Sequence, residues 1–311
     1  MQSLAQACAR ADTLCLQVRF TKLTKANISS ISVIWGNVVV RLAFTKLPCR
    51  AALAFAGVLA MLAPLAAASQ SVDASVQPAN AALIPTLCSD LGHVTVHNHR
   101  HVRFVVRNDN FGGRSECLKN HAMLPNFKVT RSAADAHGPE SLAFPDIFIG
   151  CNWGICSPDT TLPARVSRVR RSETSWYTRQ RASGIWNVAY DIWFNKTPIT
   201  SGQANGAEIM IWLNAHHFPP PRWAPIVWED HARYYFVHWR PYRHGVSWNY
   251  MQFRRVHPAR SVTHLRLEPF MQTAERMGLL KPRWYLLNIE AGFEIWSGGR
   301  GLATNWFWAR S

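Results

Sequence analysis

From about residue 84 onward the chain consists of short runs in which apolar and polar residues alternate, broken by Gly, Pro, Asn and Asp. A period of two puts successive side chains on opposite faces, the pattern of a strand rather than a helix. The runs are Val94–Val106, Trp186–Asn195, Ala207–Asn214, Tyr234–Trp239, Ser247–Arg254 and Trp284–Trp296. Val, Ile, Trp, Tyr and Phe fill them, side chains that pack well on a pleated surface. Leu267–Leu280 alone has a helical period, with Phe270, Ala274 and Met277 on one face. Many strands and one short helix in about 230 residues predict an all-β sandwich or barrel.

Composition narrows what such a fold does. Apolar residues make up 48% and charged residues 17% of the 311-residue chain, which excludes a disordered, collagenous or coiled-coil protein. Fourteen Trp exceed what packing alone requires and point to flat rings offered to a ligand. The net charge of +16 divides unevenly: residues 1–70 carry seven Lys/Arg against one Asp, the remainder 27 against 17.

Residues 1–40 show no period that continues into the rest and read as a non-native N-terminal extension, with the natural start near Val38–Val40. Residues 41–68 follow the plan of a secretory signal: basic Arg41–Arg50, apolar Ala51–Leu65, then small Ala66–Ala68. The apolar run of about 15 residues is short of the ~20 that cross a bilayer; a membrane anchor or buried helix is the alternative. Residues 69–83 read as a Ser/Ala/Pro linker and 84–311 as the working domain. Cysteine usage fits export. Three of seven fall before residue 50, leaving Cys88, Cys117, Cys151 and Cys156. In an oxidising compartment the pairs Cys88–Cys117 and Cys151–Cys156 are expected; spacing alone leaves buried free thiols open.

Three strands repeat one chemistry. Alternation aligns Glu208, Met210 and Trp212 against Ile209, Ile211 and Leu213; it aligns Glu290, Glu294 and Trp296, and it puts Asp191 beside Trp193. Carboxylates next to Trp on separate strands describe a sugar-binding cleft, where rings stack on pyranose faces and paired acids cleave the glycosidic bond.

The stretches AYDIWF (189–194), GAEIMIWLN (206–214) and AGFEIWSGGRGLATN (291–305) resemble the glycoside hydrolase family 12 endoglucanases, especially their bacterial secreted branch. PDIFIGCNWGICSPDTTLP (145–163) resembles that family's Gly-Cys…Cys-Ser-Pro segment, and the likeness runs from about Cys88 to Trp306. The resemblance implies a two-sheet, concanavalin-like β-jelly roll with a concave cleft and a retaining endo-β-1,4-glucanase. It supports both disulfides and calls for no cofactor or metal. Carried over, Glu208 is the nucleophile, Glu294 the general acid/base, and Asp191 the acid that hydrogen-bonds the nucleophile. Asn108, Asp109, Phe111, Trp153, Met210, Trp212 and Trp296 fall in substrate-binding positions. The partner is a β-glucan, the protein a secreted monomer without lasting membrane attachment.

Three departures bear on substrate and affinity. The family's Asn-Asn-x-Trp-Gly motif stands here as Asn108-Asp109-Asn110-Phe111-Gly112. Glu290 occupies a position where many members have Gln, an added anion expected to raise the Glu294 pKa and the pH optimum. Residues 214–246 are unusually basic and His-rich. A xyloglucan-specific enzyme and a weak, glucan-binding remnant are the alternatives.

Other groupings point elsewhere. His97, His99 and His101 would share a strand face at a spacing that suits a metal, though no acid or Cys completes the set, so solvated histidines are expected. His216 and His217 would point to opposite faces if extended. Arg165, Arg168, Arg170 and Arg171, with Trp176, Tyr177, Arg179 and Arg181, have the composition of a nucleic-acid patch. No nucleic-acid motif accompanies them, and attraction to an acidic cell envelope or polysaccharide is the expected role. No phosphate loop or serine-hydrolase elbow is present.

Overall fold

The strands of residues 85–311 form two large sheets with one apolar layer between them. A computed structural model describes these residues in full. Before them it describes only the backbone of four strands, Leu4–Cys8, Cys15–Thr24, Asn27–Trp35 and Val38–Pro48, paired in order as an antiparallel meander. The chain divides into two units, residues 1–78 and 79–311. The apolar run and linker expected over 51–83 lie outside the described residues.

In the second unit the strands used below are β1 (Thr86–Leu87), β2 (Gly92–His97), β3 (Arg103–Asn108), β4 (Glu116–Lys119), β5 (Phe127–Ser132), β6 (Asp146–Asn152), β7 (Glu173–Gln180) and β8 (Gly184–Asn195). They continue with β9 (Ala207–His216), β10 (Ile226–Glu229), β11 (Ala232–Trp239), β12 (Asn249–Arg255), β13 (Ser261–Arg266), β14 (Asn288–Gly292), β15 (Ile295–Gly298) and β16 (Leu302–Arg310). The larger sheet runs β10-β11-β12-β9-β8-β14-β6-β3-β2, with β15 on the far end of β8; the smaller runs β13-β7-β16-β5-β4-β1. Pairing is antiparallel throughout these paths except at β9–β12. Of the sandwich and the barrel that alternation leaves open, the structure is the sandwich, in the two-sheet form that the resemblance implies.

Between the sheets lies the main core. The larger sheet contributes Phe104, Ile147, Val188, Tyr190, Ile192, Ile209, Ile211 and Leu213, the smaller Leu118, Phe127, Val129, Trp176 and Phe307. Trp176 is thus fully buried and unavailable to stack on a base, and Arg170 is paired with Glu275 at 2.8 Å, so the expected basic-aromatic patch is not one surface. Helix α1 (Glu268–Arg276) buries Phe270, Met271 and Ala274 in the same core. It stops short of Leu280 because Gly278 turns left-handed (φ 74°). Met277, expected on the packed face, therefore falls past the last turn and is exposed.

Other runs divide where a turn intervenes. Val94–Val106 splits into β2 and β3 around residues 98–102, where Asn98 Oδ1 accepts from the backbone N–H groups of Arg100 and Val102. His97 closes a strand while His101 is left-handed (φ 59°), so the three histidines do not line one strand face. His217 is also left-handed, which folds its ring onto His216 at 4.0 Å instead of sending the two to opposite faces. Both disulfides form: Cys88–Cys117 ties the start of the domain to β4, and Cys151–Cys156 closes the turn after β6.

Candidate active site

The outward face of the larger sheet should be wet, yet it carries a second buried apolar cluster: Phe144, Ala189, Met210, Trp212, Trp248, Tyr250 and Trp296. A buried outer face requires walls, so these residues floor a groove. Alternation along β8 lays Asn187, Ala189, Asp191 and Trp193 on that floor, and the register brings the other strands to them. Glu208 lies opposite Trp193, Met210 and Glu290 lie opposite Asp191, and the Asn187 N–H donates to the Glu294 carbonyl. Glu208 and Glu294 thus enter from opposite banks with Asp191 between them.

Each acid is held. Trp248 Nε1 donates to Glu208 Oε2 at 2.6 Å. Asn187 donates its side-chain amide to Glu294 Oε2 while its Oδ1 accepts the Glu294 backbone N–H at 3.0 Å, a two-way clasp that fixes main chain and side chain together. Ser141 Oγ donates to Glu294 Oε1 at 3.5 Å. Trp193 Nε1 donates to Asp191 Oδ2 at 2.8 Å, leaving Asp191 Oδ1 without a partner.

Burial dominates the electrostatics. It pushes the Glu208 carboxyl up to about 8, against the Trp248 donation and with a further push from the Glu294 charge. It pushes Glu294 up to about 7, against the donations from Asn187 and Ser141. Asp191 is raised well above its ordinary range by burial first and by the Glu208 charge next. The Glu294 charge acts on Glu208, so the two titrations are linked, and of the two carboxyls Glu208 is raised the further. A pair in which one member attacks as an anion and the other donates as an acid needs one proton between them, and with Glu208 raised above Glu294 the form with the proton on Glu294 is the minor one of the two.

Glu290 behaves differently from the expectation. It is fully buried and accepts from Arg107 Nη2 at 2.8 Å and from the amides of Asn152 and Asn288. Arg107, also fully buried, reaches Asp146 at 2.6 Å and Asp109 at 3.1 Å as well. The Glu290 charge raises Glu208 and Asp191, whereas the Glu294 shift comes from burial against the Asn187 and Ser141 hydrogen bonds.

The remaining expected residues separate into three groups. Met210, Trp212 and Trp296 are on the floor but only 3%, 5% and 7% exposed: Phe218, from the basic 214–246 region, packs at 5.4 Å from Trp212 and 5.1 Å from Trp296, and the Tyr250 hydroxyl donates to Met210 Sδ at 3.1 Å. Phe111 and Trp153 are about half exposed at the β3–β6 end, on opposite banks. Asn108 is fully buried with its amide donated to the Ser89 and Glu116 carbonyls, so it shapes the β3 end rather than touching a ligand; Asp109 is taken up by Arg107. Residues not singled out from sequence are Asn187, Ser141, Arg107, Trp248 and Trp239, which packs on Tyr250 with ring centroids 3.9 Å apart. Asn187 lies four residues before Asp191, and period two puts it on the groove face; Trp248 lies two before Tyr250, on a run to which the sequence assigned no site residue.

A two-sheet fold whose groove holds two buried, separately clasped carboxylic acids among indole rings defines a glycoside hydrolase. Residues 102–310 match the model of glycosyl hydrolase family 12, and the chain belongs to that family. It is 32% identical over 151 residues to a probable cellulase, Cel12b, of Mycobacterium tuberculosis, covering 49% of this chain and 97% of that protein. Among solved structures it resembles the endoglucanase Cel12A from Rhodothermus marinus at 34% identity and a TM-score of 0.64, covering 72% of this chain and 97% of that one. A metagenome-derived family 12 endoglucanase is similar at 33% identity and a TM-score of 0.65, covering 73% and 97%.

Proposed function

We infer that this protein is an exported endo-β-1,4-glucanase that cleaves internal bonds of cellulose or mixed-linkage glucan by double displacement, with Glu208 as nucleophile and Glu294 as general acid/base. The observation that carries the assignment is the placement of the two acids on opposite banks with Asp191 between them. Anionic Glu208, stabilised by Trp248 and by a protonated Asp191, attacks the anomeric carbon. Glu294 gives its proton to the leaving oxygen, and a glycosyl ester on Glu208 results. Glu294, now a base, takes a proton from water as the water oxygen bonds to the anomeric carbon and the ester bond to Glu208 breaks, which frees the carboxylate and releases the sugar with its anomeric configuration retained.

Phe111, Trp153 and Trp239 are the exposed rings that stack on sugars along the groove, over a floor of Met210, Trp212 and Trp296. Residues 41–68 act as the export signal and residues 84–311 as the catalytic domain, a monomer whose partner is the β-glucan. The two disulfides support an oxidising destination. The test is reducing-sugar release from carboxymethylcellulose and barley β-glucan by residues 70–311, beside Glu208→Gln. Release by the unsubstituted protein alone, with β-anomer formed first by NMR, supports the assignment; equal release by both overturns it.

A further inference from the structure

Two loops rise from the opposite banks of the groove. The first, residues 136–142, is fastened to the Glu294 bank: the Ala136 N–H donates to the Trp296 carbonyl, the Leu142 N–H to the Ile295 carbonyl, and Trp296 Nε1 to the Pro139 carbonyl at 2.8 Å. The same loop carries Ser141, which donates to Glu294. The second is the hairpin between β11 and β12, whose arms Tyr242–Arg243 and Val246–Ser247 pair across a left-handed His244-Gly245 tip. It springs from the Glu208 bank, where Trp239, Tyr250, Glu208 and Trp193 lie in one cross-strand row and Trp248 donates to Glu208.

These loops meet. Arg243 Nη2 donates to Glu140 Oε2 at 2.6 Å, and both side chains are more than half exposed. The row of Asp191 and Met210 lies between the two banks, so an ion pair joining them arches over the groove beside the catalytic carboxylates.

We propose that Arg243 and Glu140 form an ionic latch over the groove that favours unbranched β-1,4-glucan over chains bearing sugar branches. The proposal rests on the glucanase reading and names the substrate class of that site. A plain glucan is a ribbon one ring thick and lies under a closed arch. A chain with a sugar on its backbone rings is wider and enters only when the pair parts. An exposed pair shifts such an equilibrium by up to about fivefold, so the latch biases the choice rather than making it absolute. Salt weakens it, since the screening length falls from about 10 Å at 0.1 M to about 3 Å at 1 M.

The experiment compares kcat/KM on xyloglucan with that on barley β-glucan for the full chain, Arg243→Ala, Glu140→Ala and the reversed pair Arg243→Glu/Glu140→Arg. Each alanine variant should raise the xyloglucan-to-β-glucan ratio about two- to fivefold, and the reversed pair should restore it. Raising salt to 1 M should do the same to the parent and nothing to the alanine variants, while hydrolysis of an aryl cellobioside stays unchanged in all. A ratio unmoved by either alanine, or a reversed pair that fails to restore it, overturns the latch. A parent that hydrolyses neither glucan contradicts the glucanase reading, and the latch is then read by binding. In the Glu208→Gln background, Arg243→Ala should gain retention in a xyloglucan affinity gel relative to β-glucan; no gain overturns it.

Discussion

The Trp248 indole donates its only N–H to Glu208 at 2.6 Å, and both side chains are more than nine-tenths buried. An anion in a buried site needs donors, because burial, with a further push from the Glu294 charge, raises this carboxyl to about 8 even with the Trp248 bond in place. Trp248→Phe keeps the ring and removes the donor. A hydrogen bond to a charged group contributes about 1.5–3 kcal/mol, so kcat should fall on the order of ten- to a hundredfold. The acid limb of the pH profile should move upward in the same variant. Steady-state kinetics across pH on β-glucan checks both, and a loss confined to KM would make Trp248 a sugar platform instead.

The pH profile of the unaltered protein follows from the same burial. In the proposed mechanism cleavage needs Glu208 anionic while Glu294 keeps its proton, and because Glu208 is raised to about 8 and Glu294 to about 7 this is the minor singly protonated form. Below about 7 both hold protons and the nucleophile is lost; above about 8 both are anions and the acid is lost. The bell-shaped profile of kcat/KM should therefore centre near or slightly above neutrality, well above the ordinary carboxyl range near 4. Asn187→Ala removes the amide that lowers Glu294, so its alkaline limb should move further upward. A profile centred near pH 4–5 would show that the acids are better solvated than the groove allows.

Much of this site was legible in alternation. Asp191, Glu208, Glu290, Glu294 and the Trp beside each fell on one face because a strand has only two faces. What alternation could not reveal was pairing across strands. The run ending at Val106 stopped one residue short of Arg107, and nothing local indicates that a β3 arginine meets an acid 183 positions later in sequence. Hence Glu290 looked like an unpaired neighbour of Glu294 when it is an ion-paired base of the groove. Left-handed turns were equally hidden: His101 and His217 each break a run that continues apolar-polar in sequence. Phe218 was missed because it lies in an irregular segment, where no period indicates which way a ring points.

Glu116 offers a test of stability rather than catalysis. It is 2% exposed, neither carboxyl oxygen has a hydrogen-bond partner, and burial followed by the Asp109 charge pushes it from 4.5 up to about 8. Its folded-state pKa lies above its unfolded value, so unfolding releases a proton between those limits. Stability is then full below about 4.5 and declines as pH rises toward 8. The loss is on the order of 4 kcal/mol. Glu116→Gln should abolish that decline, raising Tm at pH 8 while changing it little at pH 5. Thermal melts at the two pH values measure it, and equal gains at both would assign the effect to packing.

Arg107 is the cation on which the floor of the groove depends. Its Nε and Nη2 donate to Asp146 at 2.9 and 2.6 Å, and Nη2 also reaches Glu290 and Asp109. Removing it strands three carboxyls, two of them fully buried, and breaking a buried pair from one side costs about 3–5 kcal/mol. Arg107→Lys retains the charge but has no planar fork to serve Asp146 and Glu290 together, so it should recover only part of that loss. Arg107→Met with Asp146→Asn and Glu290→Gln removes the guanidinium together with its two fully buried acids and should be more stable than Arg107→Met alone. Urea unfolding of the four proteins gives the comparison. If Arg107→Met alone matches the parent within about 1 kcal/mol, below the range for breaking a buried pair, the three acids are neutral in the folded state and the arginine is not holding them.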